Sequence, residues 1–126
     1  MKHLEFELQK SVCKYLNNQY PNVLFLSDTI ANVKLNVRQG ARNKTIQKAG
    51  FKTPDLIILQ PNNLYHGLFI EFKTSSPFKK DGTILKNEHL EGQLKSIQDL
   101  NNRGYYAQFC WTFEMAKETI DKYLKQ

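Results

Sequence analysis

Apolar residues recur at helical spacing in three stretches of the chain and run unbroken in two others. Leu4, Leu8, Val12, Tyr15 and Leu16 fall on one side of a helix predicted over residues 3–17, with Glu7, Lys10 and Lys14 on the other. A second amphipathic helix is predicted over 88–103 from Leu90, Leu94, Ile97 and Leu100, stopped by Gly104. The last runs to Leu124, with Thr112 as its N-cap and Met115, Ala116, Ile120 and Leu124 facing inward. Between these lie Leu56-Ile57-Ile58-Leu59 and Leu68-Phe69-Ile70, which flank a turn built on Pro61-Asn62-Asn63 and predict a β-hairpin. Both runs are apolar throughout rather than alternating, so both faces of their sheet should be covered by helices.

The weaker signals are assigned in the same way. Residues 23–26, the alternating stretch 33–37 and residues 105–111 read as strands, residues 43–49 as a short helix ended by Gly50, and residues 75–87 as a flexible loop holding Pro77, Gly82 and three lysines. The fold class that follows is α/β, a central mixed β-sheet flanked by helices, and the 126 residues suit a single domain.

Charge narrows the partner. Lys and Arg number 18 against 12 Asp and Glu, a net charge of +6 that favours a polyanion such as nucleic acid. The excess is local. No acidic residue stands between Asp28 and Asp55, where Lys34, Arg38, Arg42, Lys44, Lys48 and Lys52 supply six cations, interleaved with Asn32, Asn36, Gln39, Gly40 and Asn43. This tract is the candidate DNA-binding surface. No apolar stretch approaches a membrane span, and the amphipathic N-terminus is unlike a signal peptide, so a cytoplasmic protein is expected. Cys13 and Cys110 lack paired metal or disulfide spacing and read as packing residues.

Candidate chemistry gathers at the hairpin. If it is symmetric about Asn63, residues whose numbers sum to 126 face one another, so Asp55 meets Glu71. Opposed like charges destabilise a sheet unless a cation bridges them, and an all-oxygen pair suits Mg²⁺ or Mn²⁺. Lys73 leaves the same face of its strand as Glu71 and can neutralise the carboxylates or the charge developing on a phosphate. Glu5 lies in the apolar arc of the first helix. It either faces the core, where it needs a cation or strong donors, or is a partly exposed first-turn residue favoured by the helix dipole. Gln93 lies on the apolar side of its helix, where its amide needs polar partners. His3, His66 and His89 share no zinc-ligand spacing and are assigned no catalytic role.

With Glu5-x-x-x-Gln9, Pro54-Asp55-Leu56, the stretch from His66 to Lys73, Gln93 and Gly104-Tyr105 in order, the chain resembles the virus-type replication-repair nucleases of the PD-(D/E)xK superfamily. The likeness covers nearly the whole chain and is to the short stand-alone members of phages and prophages. It implies a three-layer restriction-endonuclease-like core and a Mg²⁺- or Mn²⁺-dependent DNA endonuclease acting on branched or structured DNA. It further implies Asp55, Glu71 and the Phe72 carbonyl as metal ligands, Glu5 completing or supporting the shell, and Lys73 positioning the attacking water. Two-fold pairing of a domain this small would present two sites to two strands of a junction, so a homodimer is expected. The alternative is a nucleic-acid-binding module of the same fold that does not cut.

Overall fold

The computed structural model describes residues 4–27 and 36–125. Strands β2 (Leu56–Ile58) and β3 (Leu68–Phe72) form the antiparallel hairpin, pairing Leu56 with Ile70, Ile57 with Phe69 and Ile58 with Leu68. That is the register in which numbers sum to 126. The turn is fixed by Asn62, whose side-chain oxygen accepts from the main-chain N–H groups of Leu64 and Tyr65 at 2.9 and 2.8 Å. Strand β1 (Phe25–Ser27) joins β2 antiparallel, and β4 (Tyr106–Cys110) joins β3 parallel, in the order β1-β2-β3-β4. Parallel pairing of β3 and β4 requires a crossover, which helix α3 (Glu88–Asn101) supplies.

The pleat divides the apolar residues between two layers. Leu56, Ile58, Leu68, Ile70, Phe72 and Cys110 pack against helices α1 (Leu4–Gln19) and α4 (Phe113–Leu124), meeting Val12, Leu16, Ala116, Ile120 and Tyr123. On the opposite face Ala107 and Phe109 pack on Ile97 and Leu100 of α3, with Phe51, Phe69, Phe78 and Trp111 around them. The unbroken apolar runs are therefore explained by a three-layer α/β arrangement with a mixed sheet in the middle. Helix α1 is tied to α4 by Asp121, whose Oδ1 accepts from the hydroxyls of Tyr15 and Tyr20, both at 2.6 Å. Thr112 caps α4 by accepting from Met115 N–H at 3.0 Å, and Asn87 caps α3 in the same way through Leu90.

Strand β4 lies at the end of the sheet, yet its outward backbone is not bare. The carboxamide of Asn101 accepts from Ala107 N–H at 2.8 Å and donates to Ala107 C=O at 3.1 Å, imitating the peptide of a missing strand.

Several elements differ from the sequence reading. Residues 33–35 lie outside the described residues, but Asn36 and Val37 are not strand. Asn36 forms a capping box with Gln39 and starts helix α2 (Val37–Thr45), and that reciprocal pair of hydrogen bonds outweighs the alternation of valine and leucine. The helix expected at 43–49 therefore begins and ends earlier. Strand β1 is shifted past Val23 and Leu24, α1 continues to Gln19, and α3 stops two residues early, its turn completed by Gly104 at φ +94°.

The stretch at 75–87 is not a floppy loop. Phe78 pairs with Ile84 across a tight turn, Lys79 N–H donates to Thr83 C=O at 2.7 Å, and Leu85 N–H donates to Pro77 C=O at 2.8 Å. Phe78 anchors this small hairpin through edge-on contacts with Phe109 and Trp111.

Candidate active site

Extending the hairpin register by one residue sets Asp55, at the entrance of β2, beside Glu71 near the exit of β3. Pro54 is fully buried and fixes the approach to β2, and the Asp55 carboxylate accepts from Phe72 N–H through Oδ2 at 2.9 Å. The main chain of Asp55 is held from the other side by Gln9, a buried residue of α1 whose Nε2 donates to Asp55 C=O at 3.3 Å and to Ser27 Oγ at 2.6 Å. Helix α1 thus positions both β1 and β2 at the site.

Glu71 is only 5 % exposed and points to the α3 face of the sheet, where Gln93 Nε2 donates to its Oε2 at 3.1 Å. Burial pushes the Glu71 carboxyl up to about 9, with the charge and hydrogen bonding of Asp55 adding to the rise and Lys73 opposing it. A buried carboxyl so perturbed, next to a second carboxylate, marks a place where a cation is favourable. Lys73 follows Glu71 by two residues and lies on the same face of the strand. Glu5, half-buried on α1, is also pushed up, by burial first, with Lys73 lowering it and Asp55 raising it. Glu5 and Lys73 line one crevice of about 100 Å³ with Thr74, Ser75, Ser76 and Leu90.

The donor set suits a hard divalent cation in one respect and limits it in another. Gln93 Oε1 is buried and has no hydrogen-bond partner, although its amide nitrogen is engaged with Glu71. Leaving such an acceptor unpaired costs on the order of 1–3 kcal/mol, a deficit that a cation or donor reaching it would relieve. Among the described residues, however, no three or more His, Cys, Asp or Glu side chains are gathered closely enough to hold an ion together. The acidic side chains brought side by side are therefore the Asp55–Glu71 pair, with Glu5 acting on them from α1.

The basic tract is only partly brought to this place. Lys34 lies outside the described residues. Arg38, Arg42 and Lys44 project from α2, a helix with no buried residue and with Val37 91 % exposed, and Lys48 follows it on the surface. Lys52 alone is docked beside the site, its main-chain N–H donating to Ser96 Oγ of α3 at 2.8 Å. His89, in the first turn of α3, was assigned nothing on sequence grounds. Its imidazole is held below the usual range by burial and by Lys73 and Lys52, with Asp55 opposing, which places it among these groups. The signal for it was its position four residues before Gln93, on the same face of the helix.

A cleft of about 490 Å³ between β4 and α4 is lined by Tyr65, Tyr106, Gln108 and Tyr123 and by none of these groups. No helix among the described residues is long and apolar enough to cross a membrane.

No family model matches the chain, and no curated protein matches it. Among solved structures, a chain described as a VRR_NUC domain protein superposes with a TM-score of 0.62, over 96 % of this chain and 88 % of that one, at 24 % identity. The shared feature at that identity is the fold, a four-stranded mixed sheet between helical layers consistent with a restriction-endonuclease-like core.

Proposed function

We propose that this chain is a metal-dependent DNA endonuclease of the virus-type replication-repair nuclease family, with Asp55, Glu71 and Lys73 at its centre. The observation that carries the reading is the Asp55–Glu71 pair, brought together on adjoining strand ends with Glu71 buried and pushed up to about 9. A structural carboxylate has no need of such surroundings, whereas a cation site does. The likeness of fold to a VRR_NUC domain protein supports the same reading.

In this reading Asp55, Glu71 and the Phe72 carbonyl hold Mg²⁺ or Mn²⁺, with Gln93 Oε1 and Glu5 supporting the shell. A bound divalent ion supplies stabilisation of the charge that builds on the phosphate and eases ionisation of a water. The remaining work belongs to the chain. Gln93 holds Glu71 in orientation through its Nε2, while Phe72 N–H and Gln9 fix the Asp55 side chain and main chain. Lys73 orients the attacking water and neutralises phosphate charge, and Glu5, in the same crevice, can accept a hydrogen bond from that water. The basic residues of α2 hold the duplex by its phosphates.

The test is a panel of end-labelled duplex, flap and four-way-junction DNA incubated with Mg²⁺, with Mn²⁺ or with EDTA. Cleavage that requires the metal and favours flap or junction supports the reading. Binding to all substrates with no cutting under any metal condition overturns it in favour of a non-catalytic binding module.

A further inference from the structure

Helix α3 presents His89, Gly92, Gln93 and Ser96 at the spacing of one face, and each residue of that row meets the site or its approach. Gln93 holds Glu71, and Ser96 receives the Lys52 main chain. Gly92 does something different. A Cβ there would stand 2.6 Å from Cε and 3.2 Å from Cδ of Lys52, closer than unbonded carbons approach. The aliphatic stem of Lys52 therefore lies in the notch left by the missing side chain. Helix interiors disfavour glycine by about 1 kcal/mol relative to alanine, and an alanine here would displace the end of the Lys52 side chain from this seat.

The end of that stem is exposed, and none of the ion pairs among the described residues involves Lys52 or Lys73. Both ammonium groups act on the His89 imidazole, as does Asp55. Glu88 and Glu91, the acidic residues of the same helix turn, are roughly 100° and 160° away from His89 around the helix. The Lys52 side chain, seated on Gly92 and held in no close ion pair, thus shares one helix row with His89 and with Gln93, which holds Glu71, while Lys73 acts on the carboxyls of Glu71 and Glu5.

We propose that Lys52 and His89, set beside Lys73, form a phosphate grip for the DNA strand entering the site, and that Gly92 is the positioning residue that holds Lys52 in it. The inference rests on the nuclease reading above and adds to it the place where the strand is held next to the reacting phosphate. It distinguishes Lys52 from the other cations of the basic tract, which have no comparable seat.

The experiment is fluorescence-anisotropy titration of a short labelled duplex in EDTA, over a range of salt, for the wild type and for Lys52→Ala, His89→Ala, Gly92→Ala and the Lys52→Ala/Gly92→Ala pair. Thermal unfolding checks that each variant is folded. Each single change should weaken binding about three- to tenfold, and Lys52→Ala should make the salt dependence shallower by about one phosphate contact. Gly92→Ala should do the same while Lys52 is present, and the pair should lose no more than Lys52→Ala alone, because both remove one contact. Unchanged affinity in Lys52→Ala and His89→Ala overturns the grip. Unchanged affinity in a folded Gly92→Ala overturns its positioning role. Salt-insensitive or absent binding by the wild type, together with no cleavage, instead overturns the nuclease reading beneath it.

Discussion

Phe72 N–H donates to Oδ2 of Asp55 at 2.9 Å, so the carboxylate that begins β2 is held by the main chain of the residue following Glu71. The bond makes the two acidic side chains a consequence of strand pairing and sets which oxygen of Asp55 remains for a ligand. It also separates charge from structure, because an amide oxygen can accept the same bond.

Asp55→Asn is therefore expected to fold normally and to cut DNA slower by orders of magnitude, as removal of a metal clamp costs several kcal/mol of transition-state stabilisation. DNA affinity in EDTA should hold or rise, one negative charge having left the path of the phosphates. Cleavage time courses with purified protein check the first outcome and anisotropy the second. Undiminished cleavage would remove Asp55 from the site.

The raised carboxyl of Glu71 predicts how metal-free protein responds to pH. Its folded value of about 9 stands above the ordinary 4.5, so between these limits the folded state holds a proton that the unfolded state releases. Stability should fall as pH rises across that window, by at most about 1.4 kcal/mol per unit, and the contribution is complete only below it. Urea denaturation in EDTA from pH 5 to 9 measures the slope. Glu71→Gln should flatten it, and millimolar Mg²⁺ should offset it in the wild type while leaving Glu71→Gln unaffected.

Asp121 carries the opposite sign. Burial alone would raise its carboxyl, but the hydroxyls of Tyr15 and Tyr20 and the ammonium of Lys117 outweigh it and bring the value down to about 2. Its stabilisation is present above the ordinary 3.8 and is lost as pH falls through about 2. Asp121→Asn should lower stability by about 1–3 kcal/mol at neutral pH, through weaker acceptance from two tyrosines. Because α1 carries Glu5 and Gln9, cleavage should fall only near the new melting temperature.

Arg38→Glu with Arg42→Glu tests the basic helix. Helix α2 contributes no buried residue, so thermal stability should change little. DNA affinity should drop at least tenfold, with a shallower dependence on salt, since two cations are replaced by anions. Equal affinity at low and high salt in this variant and in the wild type would exclude α2 from the DNA surface.

The hairpin and its acidic pair were legible because their signals are local: two apolar runs, a proline before Asp55 and an Asx turn at Asn62. The departure from strand at Asn36 and Val37 has a similarly local reason. Val33, Leu35 and Val37 alternate, but Asn36 and Gln39 make a cap, and reading the residues one period at a time favours the wrong element. Phe78 anchors residues 77–85 on Phe109 and Trp111, over thirty positions later, so that stretch looked loose from its proline, glycine and lysines. His89 and Gly92 were silent for the same cause, since what gives them meaning is Lys52, Lys73 and Asp55 in other segments.

The side chain of Asn101 has an effect beyond finishing α3. By occupying both outward groups of Ala107, it takes one donor and one acceptor out of the row on which an extended peptide would seed at the parallel end of the sheet. An extended strand approaching β4 therefore finds the rung at Ala107 already taken by one amide. Asn101→Ala would free that rung and make this margin of the molecule more adhesive.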